Sequence, residues 1–187
     1  VGGTQYCFLL LIYYILRFDP KSYRVRVYCS SDCFFPQGVE KVLVEDIFEG
    51  LTESKRRGDD FIIIKDNKDQ QLARFIDKLR HRIVIWGHNF YFGDYADWVA
   101  KSPSVIANVF VGRQQYDRYI DHPICDKSLF IYNMVPDVVG GKKRDNDGKT
   151  VVYLGALIPE KGFLILAKMW KYILKKVPMA RLQVIGG

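Results

Sequence analysis

The chain has 187 residues, of which 49% are hydrophobic and 26% charged, so its composition is that of a soluble globular protein and excludes wholesale disorder. This length suits one sizeable domain, or one domain and part of another. Lysine and arginine total 28 against 21 acidic residues, and the formal net charge of +7 favours anionic partners. A basic surface that only maintains solubility would account for the same charge.

The amino-terminal apolar run, residues 6–16, is too short for a membrane span of roughly 20 residues and predicts a buried helix. It is also a poor secretory signal, because no basic segment precedes it and no small-residue cleavage site follows it. The four cysteines include no C-x-x-C pair. We therefore expect a cytoplasmic protein with reduced thiols and no metal site.

Two strand patterns follow this helix. Between residues 23 and 30, valines alternate with Arg24 and Arg26, which predicts a strand with one face toward water. The run 61–65 shows no alternation, and a strand that is apolar on both faces belongs inside a parallel sheet covered by helices.

Helices and strands then alternate up to residue 133. The first of these helices has Asp66 and Asn67 as candidate caps, and its apolar face comprises Leu72, Phe75, Ile76 and Leu79. After it come the strand 82–89, the helix 93–103, the strand 104–111, the helix 112–124 and the strand 128–133. This alternation predicts repeated strand–helix–strand units in a doubly wound parallel sheet, an α/β fold.

The Gly-rich, charged segment 139–149 has no apolar periodicity and predicts a linker between a first domain, 1–138, and a second, 150–187. The second begins with another strand–helix–strand unit. The apolar face of its helix comprises Phe163, Leu166, Trp170, Ile173, Leu174 and Val177. Because the chain opens on a glycine turn and ends on another, we expect a longer parent protein, with a strand before Val1 and the rest of the second domain after Gly187.

Ligands of open parallel sheets bind where the carboxyl ends of strands meet the amino ends of helices. Gly2 and Gly3 would let backbone amides approach an anion there, although a plain turn would need glycines as well. His88 follows a strand, where it could donate a hydrogen bond or act as acid or base, the alternative being a structural histidine. We expect its ring to make few packing contacts, and we expect His81 and His122 at the surface.

Lys161 and Gly162 stand where a strand turns into a helix. The amino end of a helix presents unpaired amides and the positive end of its dipole, glycine leaves room for a ligand, and lysine adds a full charge. The combination fits a phosphate or diphosphate. The simpler interpretation is a lysine at a loop tip.

The segment 151–187, VVYLGALIPEKGFLILAKMWKYILKKVPMARLQVIGG, resembles the start of the donor-binding domain of retaining glycosyltransferases of the GT-B fold, the large group-1 family. The shared pattern is a strand, a glycine, Glu-Lys-Gly, a helix and ARLxVxG. Farther upstream, GGTQ resembles the family's glycine turn after the first strand, WGHN its histidine at a strand end, and IYNMVPD the junction before its second domain. The resemblance covers nearly the whole chain in the family's order.

This resemblance implies a Rossmann-like, acceptor-side domain that lacks its first strand, followed by the beginning of a second Rossmann-like domain. It implies transfer of a sugar, with retention, from a nucleotide-sugar donor to a glycan or lipid-linked acceptor in surface polysaccharide synthesis. No cofactor, metal or nucleic acid is expected. The setting would be the cytoplasm, with peripheral contact at the inner membrane face.

The resemblance also assigns roles to residues. His88 would lie beside the transferred sugar as the catalytic residue, Lys161 and Gly162 would contact the donor diphosphate, and Gly2 and Gly3 would approach donor phosphate or acceptor. Two departures stand out. Ala156 replaces the arginine that often follows the strand glycine, and Met134 replaces the junction glycine. The family's paired donor-site glutamates would lie beyond Gly187, so we do not expect turnover by this chain alone.

Three other functions remain open on the sequence. A sugar-nucleotide epimerase could share the architecture, and an E-x7-E pattern after Gly187 would decide for the transferase. A nucleic-acid-binding module is suggested only by the net charge, because no basic stripe with interleaved aromatic residues is present. A non-catalytic nucleotide-sugar sensor would bind the donor without turnover.

Overall fold

The computed structural model describes residues 3–135 and 148–186. The chain divides into two compact units, Val1–Asp137 and Val138–Gly187. Within the described ranges, no helix is long and apolar enough to cross a membrane. Most of the predicted linker, together with Gly2, lies outside the described residues.

The first unit alternates helices and strands through most of its length. Its helices are α1 (Gly3–Phe18), α2 (Ile47–Arg56), α3 (Gln70–Leu79), α4 (Tyr95–Lys101) and α5 (Arg113–Asp117), with a 3-10 helix at Pro123–Lys127. Its strands are β1 (Val25–Cys29), β2 (Val39–Leu43), β3 (Ile62–Lys65), β4 (Ile83–Gly87), β5 (Val105–Phe110) and β6 (Ser128–Phe130). The predicted helix 112–124 is thus two short helices.

Strands β3, β4, β5 and β6 form one parallel sheet in chain order. Its centre is apolar, since Ile83 and Ile85 of β4 and Phe110 of β5 are 0% exposed. Burial of such side chains contributes about 1.5–3 kcal/mol each. This confirms the α/β class with a parallel sheet, and the arrangement is consistent with a Rossmann-like fold. Strands β1 and β2 form a separate parallel pair.

The helices that flank β3 begin at aspartate caps. Asp46 accepts a hydrogen bond from the Glu49 amide at the start of α2, and Asp69 accepts one from the Gln71 amide at the start of α3. The prediction of Asp66 or Asn67 as the cap of α3 is therefore wrong. Asp69 takes that position because the chain makes one more turn, in which the Asn67 side chain accepts from the Asp69 amide at 3.0 Å.

The prediction that Arg24 and Arg26 face water holds for Arg24, whose side chain is 80% exposed, and is wrong for Arg26. The Arg26 side chain is 8% exposed, because its guanidinium forms ion pairs with Glu40, at 2.9 Å, and with Asp59. The Tyr28 hydroxyl donates to the same Asp59 carboxylate at 2.6 Å. Paired in this way, a guanidinium can be buried at a strand edge.

His81, expected at the surface, is 7% exposed. Its Nε2 lies 2.9 Å from the hydroxyl of Ser54, which is itself fully buried. The Ser54 hydroxyl in turn donates to Asp59 at 2.8 Å. This polar contact joins the end of α2 to the turn before β4, a connection between residues distant in sequence.

The second unit is a single strand–helix–strand unit. It consists of β7 (Thr150–Leu154), a 3-10 turn (Pro159–Lys161), α6 (Phe163–Lys176) and β8 (Arg181–Ile185), with β7 and β8 parallel. The predicted packing face of α6 is only partly covered. Phe163, Leu166, Trp170 and Ile173 are half-buried, whereas Leu174 is 37% and Val177 42% exposed, so the last turn of that face does not pack as expected.

Candidate functional site

An open pocket of about 510 Å³ lies at the carboxyl ends of β3 and β4. Ligands of parallel sheets bind at this edge, because the strand ends and the following turns leave polar groups there. The lining residues are Ile47, Lys65, Asp66, Asn67, Lys68 and Asn89. Lys65 is the last residue of β3 and three of the others belong to the turn that follows it, which makes this strand end and turn the main wall of the pocket.

Asp66 holds the two strand ends together. Its carboxylate accepts the His88 backbone amide at 2.8 Å through Oδ1 and the Asn89 side-chain amide at 3.1 Å through Oδ2. Its own amide donates to the Trp86 carbonyl at 3.2 Å. Asp66 is 7% exposed, so these bonds stabilise a charge that would otherwise be costly to bury. In the sequence, an aspartate directly after an apolar strand predicts a helix cap equally well, so the pattern alone does not reveal this role.

His88 lies beside this carboxylate, directly after β4. Its imidazole is half-buried and its ring centroid lies 5.3 Å from that of Trp86, so the expectation of few packing contacts is wrong. Burial lowers the pKa of His88, and the nearby Asp66 carboxylate opposes that effect. The ring is therefore mainly neutral at pH 7. Its Nε2 is enclosed and has no hydrogen-bond partner within the described part of the chain.

Neither ring nitrogen of His88 has a hydrogen-bond partner among the described residues, and a neutral imidazole can accept or donate a proton once a ligand offers a partner. In this structure the His88 backbone, rather than its ring, binds the carboxylate of Asp66. The backbone bond fixes where the strand ends, and the contact with Trp86 fixes the ring. The arrangement is thus suited to hold His88 in one orientation at the ligand-binding edge of the sheet.

Aromatic rings and cations extend the pocket on the side of Lys68. The Lys68 ammonium lies 4.6 Å from the centre of the Phe92 ring, and the Arg118 guanidinium lies 5.8 Å from the same ring. Arg118 also lies 5.1 Å from the ring of Phe90. Phe92 is 59% exposed, which places both cations at the surface. Sequence reasoning missed Lys68 and Arg118 because they are 50 positions apart and carry no local motif.

Of the two amino-terminal glycines, the structure describes only Gly3, which opens α1. A side chain at Gly3 would meet no atom within 4 Å, so no close approach within the protein demands a glycine. The same helix reaches β4, where the Phe8 ring packs edge-on against Trp86 at 4.9 Å. The predicted contact of Gly3 with a ligand stays a prediction.

In the second unit, Lys161 and Gly162 form the entrance to α6. Gly162 has a φ of 76°, a left-handed conformation that favours glycine, and no side chain caps the helix there. Lys161 is exposed. The Tyr153 hydroxyl donates to the carbonyls of Ala156 at 2.9 Å and Lys161 at 3.3 Å, which holds the loop between β7 and α6 in a closed turn.

The described residues thus contain two candidate sites, each within one unit. The first unit brings together His88, Asp66 and the pocket, and the second brings Lys161 to the amino end of α6. Neither resembles a metal centre, because no group of three or more His, Cys, Asp or Glu side chains that could hold a metal ion occurs in residues 3–135 and 148–186. All four cysteines are free thiols. No protein-family model, curated protein or solved structure matches the chain.

Proposed function

We propose that this chain is part of a retaining glycosyltransferase of the GT-B type, in which the second unit binds the diphosphate of a nucleotide-sugar donor. The observation that carries the proposal is the entrance to α6. There an uncapped helix of 14 residues, a left-handed glycine and an exposed lysine follow one another directly. Each of these features favours the binding of an anion. The resemblance of the segment to the family's donor domain indicates that this anion is the diphosphate of a nucleotide sugar.

The chemistry of sugar transfer gives this site its role. As the bond between the sugar and the nucleotide breaks, negative charge develops on the leaving diphosphate. The amides at the start of α6 and the ammonium of Lys161 would stabilise that charge, and Gly162 would let the phosphate approach the backbone. The usual family pattern has an arginine where this chain has Ala156, so no second cation is present there. Lys161 would therefore have to supply more of the stabilisation of the diphosphate charge.

In the first unit, His88 would face the transferred sugar. Because Nε2 is enclosed, a hydrogen bond to a sugar hydroxyl or to the departing oxygen would fall to the other ring nitrogen, Nδ1. The acceptor would be a glycan or a lipid-linked sugar, in surface polysaccharide synthesis at the cytoplasmic face of a membrane. That assignment rests on the family resemblance.

The absence of the arginine at position 156 also favours a second candidate, a module that binds a nucleotide sugar without transferring it. Such a module needs affinity for the diphosphate in its ground state but no extra stabilisation of the leaving group. Both candidates place the diphosphate at Lys161. Turnover of a nucleotide sugar would separate them, because only the transferase breaks the bond between the sugar and the diphosphate.

Titration with uridine diphosphate tests the site itself. We expect Lys161→Ala in this 187-residue chain to weaken binding by about tenfold or more, because a charge-assisted hydrogen bond contributes roughly 1.5–3 kcal/mol. Lys168→Ala is the matched control, since Lys168 is exposed in the middle of the same helix. Ala156→Arg should tighten binding. Calorimetry that gives equal, negligible effects for both lysines would refute the site.

A further inference from the structure

The pocket at the ends of β3 and β4 collects positive charge that the protein itself does not neutralise. Lys65 and Lys68 line it, and Arg118 shares the Phe92 ring with Lys68. Within residues 3–135 and 148–186, none of these three side chains forms a salt bridge. Four other arginines of this unit, Arg24, Arg26, Arg56 and Arg57, do form salt bridges.

Asp66, the one carboxylate among the lining residues, offsets only one of these three positive charges. Both oxygens of Asp66 accept hydrogen bonds, from the His88 amide and the Asn89 side chain, and the carboxylate is 7% exposed. Asp69, one turn farther on, accepts the Gln71 amide as the cap of α3. The carboxylates of Asp66 and Asp69 therefore already accept hydrogen bonds within the protein, whereas the side chains of Lys65 and Lys68 are exposed.

Neutral donors are available beside the cations. The Asn67 side chain uses its oxygen to accept the Asp69 amide, which leaves its NH₂ group without a partner among the described residues. Asn89 uses one hydrogen of its NH₂ group on Asp66 and keeps a second. The free groups of the pocket are thus mostly donors, and donors together with cations recognise the oxygens of a phosphate.

The aromatic rings fix the position of two of the cations. Contact with a ring face restrains the long side chains of Lys68 and Arg118, which lowers the entropy lost when they engage a ligand. Because both contact Phe92, Lys68 and Arg118 lie near each other despite their mutual repulsion. Two like charges held near one ring would gain from an anion between them.

We propose that this pocket is a binding site for a phosphate-bearing small molecule, with Lys65, Lys68 and Arg118 as the cations that recognise the phosphate. Asn67 and Asn89 supply further donors. The site belongs to the first unit alone. It does not depend on sugar transfer or on diphosphate binding at Lys161.

Amide proton–nitrogen spectra of the full 187-residue chain, titrated with inorganic phosphate at constant ionic strength, test this site. We expect saturable shifts at the amides of Asn67, Lys68 and Asn89. Lys68→Ala and Arg118→Ala should each weaken the apparent affinity by about fivefold. Arg74→Ala is the control, because Arg74 is exposed in the middle of α3 and does not line the pocket. Lys161→Ala should leave these particular shifts unchanged.

Two further probes identify the source of the phosphate. Glucose 1-phosphate that binds more tightly than inorganic phosphate would assign a soluble sugar phosphate. Tighter binding to phosphatidylcholine vesicles that contain phosphatidic acid, reduced by Lys68→Ala, would assign a lipid headgroup. Shifts that are linear in phosphate, that fall elsewhere in the chain, or that persist unchanged in both Lys68→Ala and Arg118→Ala would overturn the proposal. Failure of uridine diphosphate to bind at Lys161 would refute the donor site and leave this one standing.

Discussion

At the scale of single residues, a buried imidazole couples the stability of the first unit to pH. Burial lowers the pKa of His81, the nearby Asp59 opposes that effect, and Lys55 adds to it. The unfolded chain therefore binds a proton on this histidine at a higher pH than the folded chain does. The stability that the neutral ring provides is fully present above the ordinary histidine pKa of about 6.5 and is lost as the pH falls toward the lower, folded-state value.

We therefore expect the free energy of unfolding to fall between about pH 7.5 and pH 5.5. His81→Gln, which keeps a hydrogen-bonding group near Ser54, should reduce that fall, and the remainder would come in part from His88, whose pKa is also lowered by burial. Urea titrations at the two pH values measure the difference. Glu40 and Glu53 do not interfere, because hydrogen bonds from arginines lower their pKa to about 2. An identical pH dependence in wild type and variant would contradict this origin.

Single residues also mark the limit of prediction from this sequence. Lys161 and Gly162 could be placed at a helix entrance because a strand, a turn and an amphipathic helix follow one another locally. Asp66 could not be assigned, since an aspartate after a strand has the same local pattern whether it caps the next helix or binds the neighbouring strand. His81 and Arg26 stand among polar neighbours in sequence, and their burial depends on Ser54 and Asp59, which the chain brings close only on folding.

At the scale of secondary-structure elements, the entrance to α6 depends on one backbone conformation. Gly162 has a φ of 76°, and its amide donates to the Pro159 carbonyl at 3.0 Å to close the 3-10 turn. Gly162→Ala should cost roughly 1–2 kcal/mol, because a Cβ is disfavoured in the left-handed region. The space around it is open, so the cost would come from the backbone and not from a clash. Urea unfolding followed by far-ultraviolet circular dichroism measures it.

Gly3→Ala is the control for that prediction. Gly3 begins α1, has open space around its Cα and has no left-handed backbone conformation, so alanine there should be neutral or slightly stabilising. An equal loss of stability in the two variants would show that the Gly162 conformation is not the cause. Loss of diphosphate binding in Gly162→Ala without loss of stability would instead point to a direct approach of the ligand to the backbone.

Elements with strong periodicity could be predicted and those with mixed patterns could not. The apolar strands β3, β4 and β5 and the amphipathic helix α3 lie where the sequence predicts them. Strand β2 and helix α2 were missed, because Val39–Leu43 is short and interrupted by charge, and α2 is rich in charged residues. The pocket at the ends of β3 and β4 was predictable as a position in the sheet, but its lining also draws on Ile47 of α2, an element that the pattern did not reveal.

At the scale of the whole molecule, the two units differ in how well they cover apolar side chains. The first contains the buried cluster around β4 and β5, with Ile83, Val99 and Phe110 at 0% exposure. In α6 of the second unit, no residue is buried. Leu154 of β7 is 78% exposed, and Ile165 of α6 is 67% exposed. Exposed apolar surface of this kind favours association.

We expect this chain, studied alone, to be marginally soluble and to associate through its second unit. The apparent mass in sedimentation velocity should rise with concentration, because each covered leucine or isoleucine removes apolar area from water at about 25 cal/mol per Å². Leu154→Glu combined with Ile165→Glu should shift the chain toward monomer. Phe34→Ser is the control, since Phe34 is 97% exposed in the first unit. A monomer at every concentration, or equal improvement from the control, would show that the apolar side chains of β7 and α6 do not drive association.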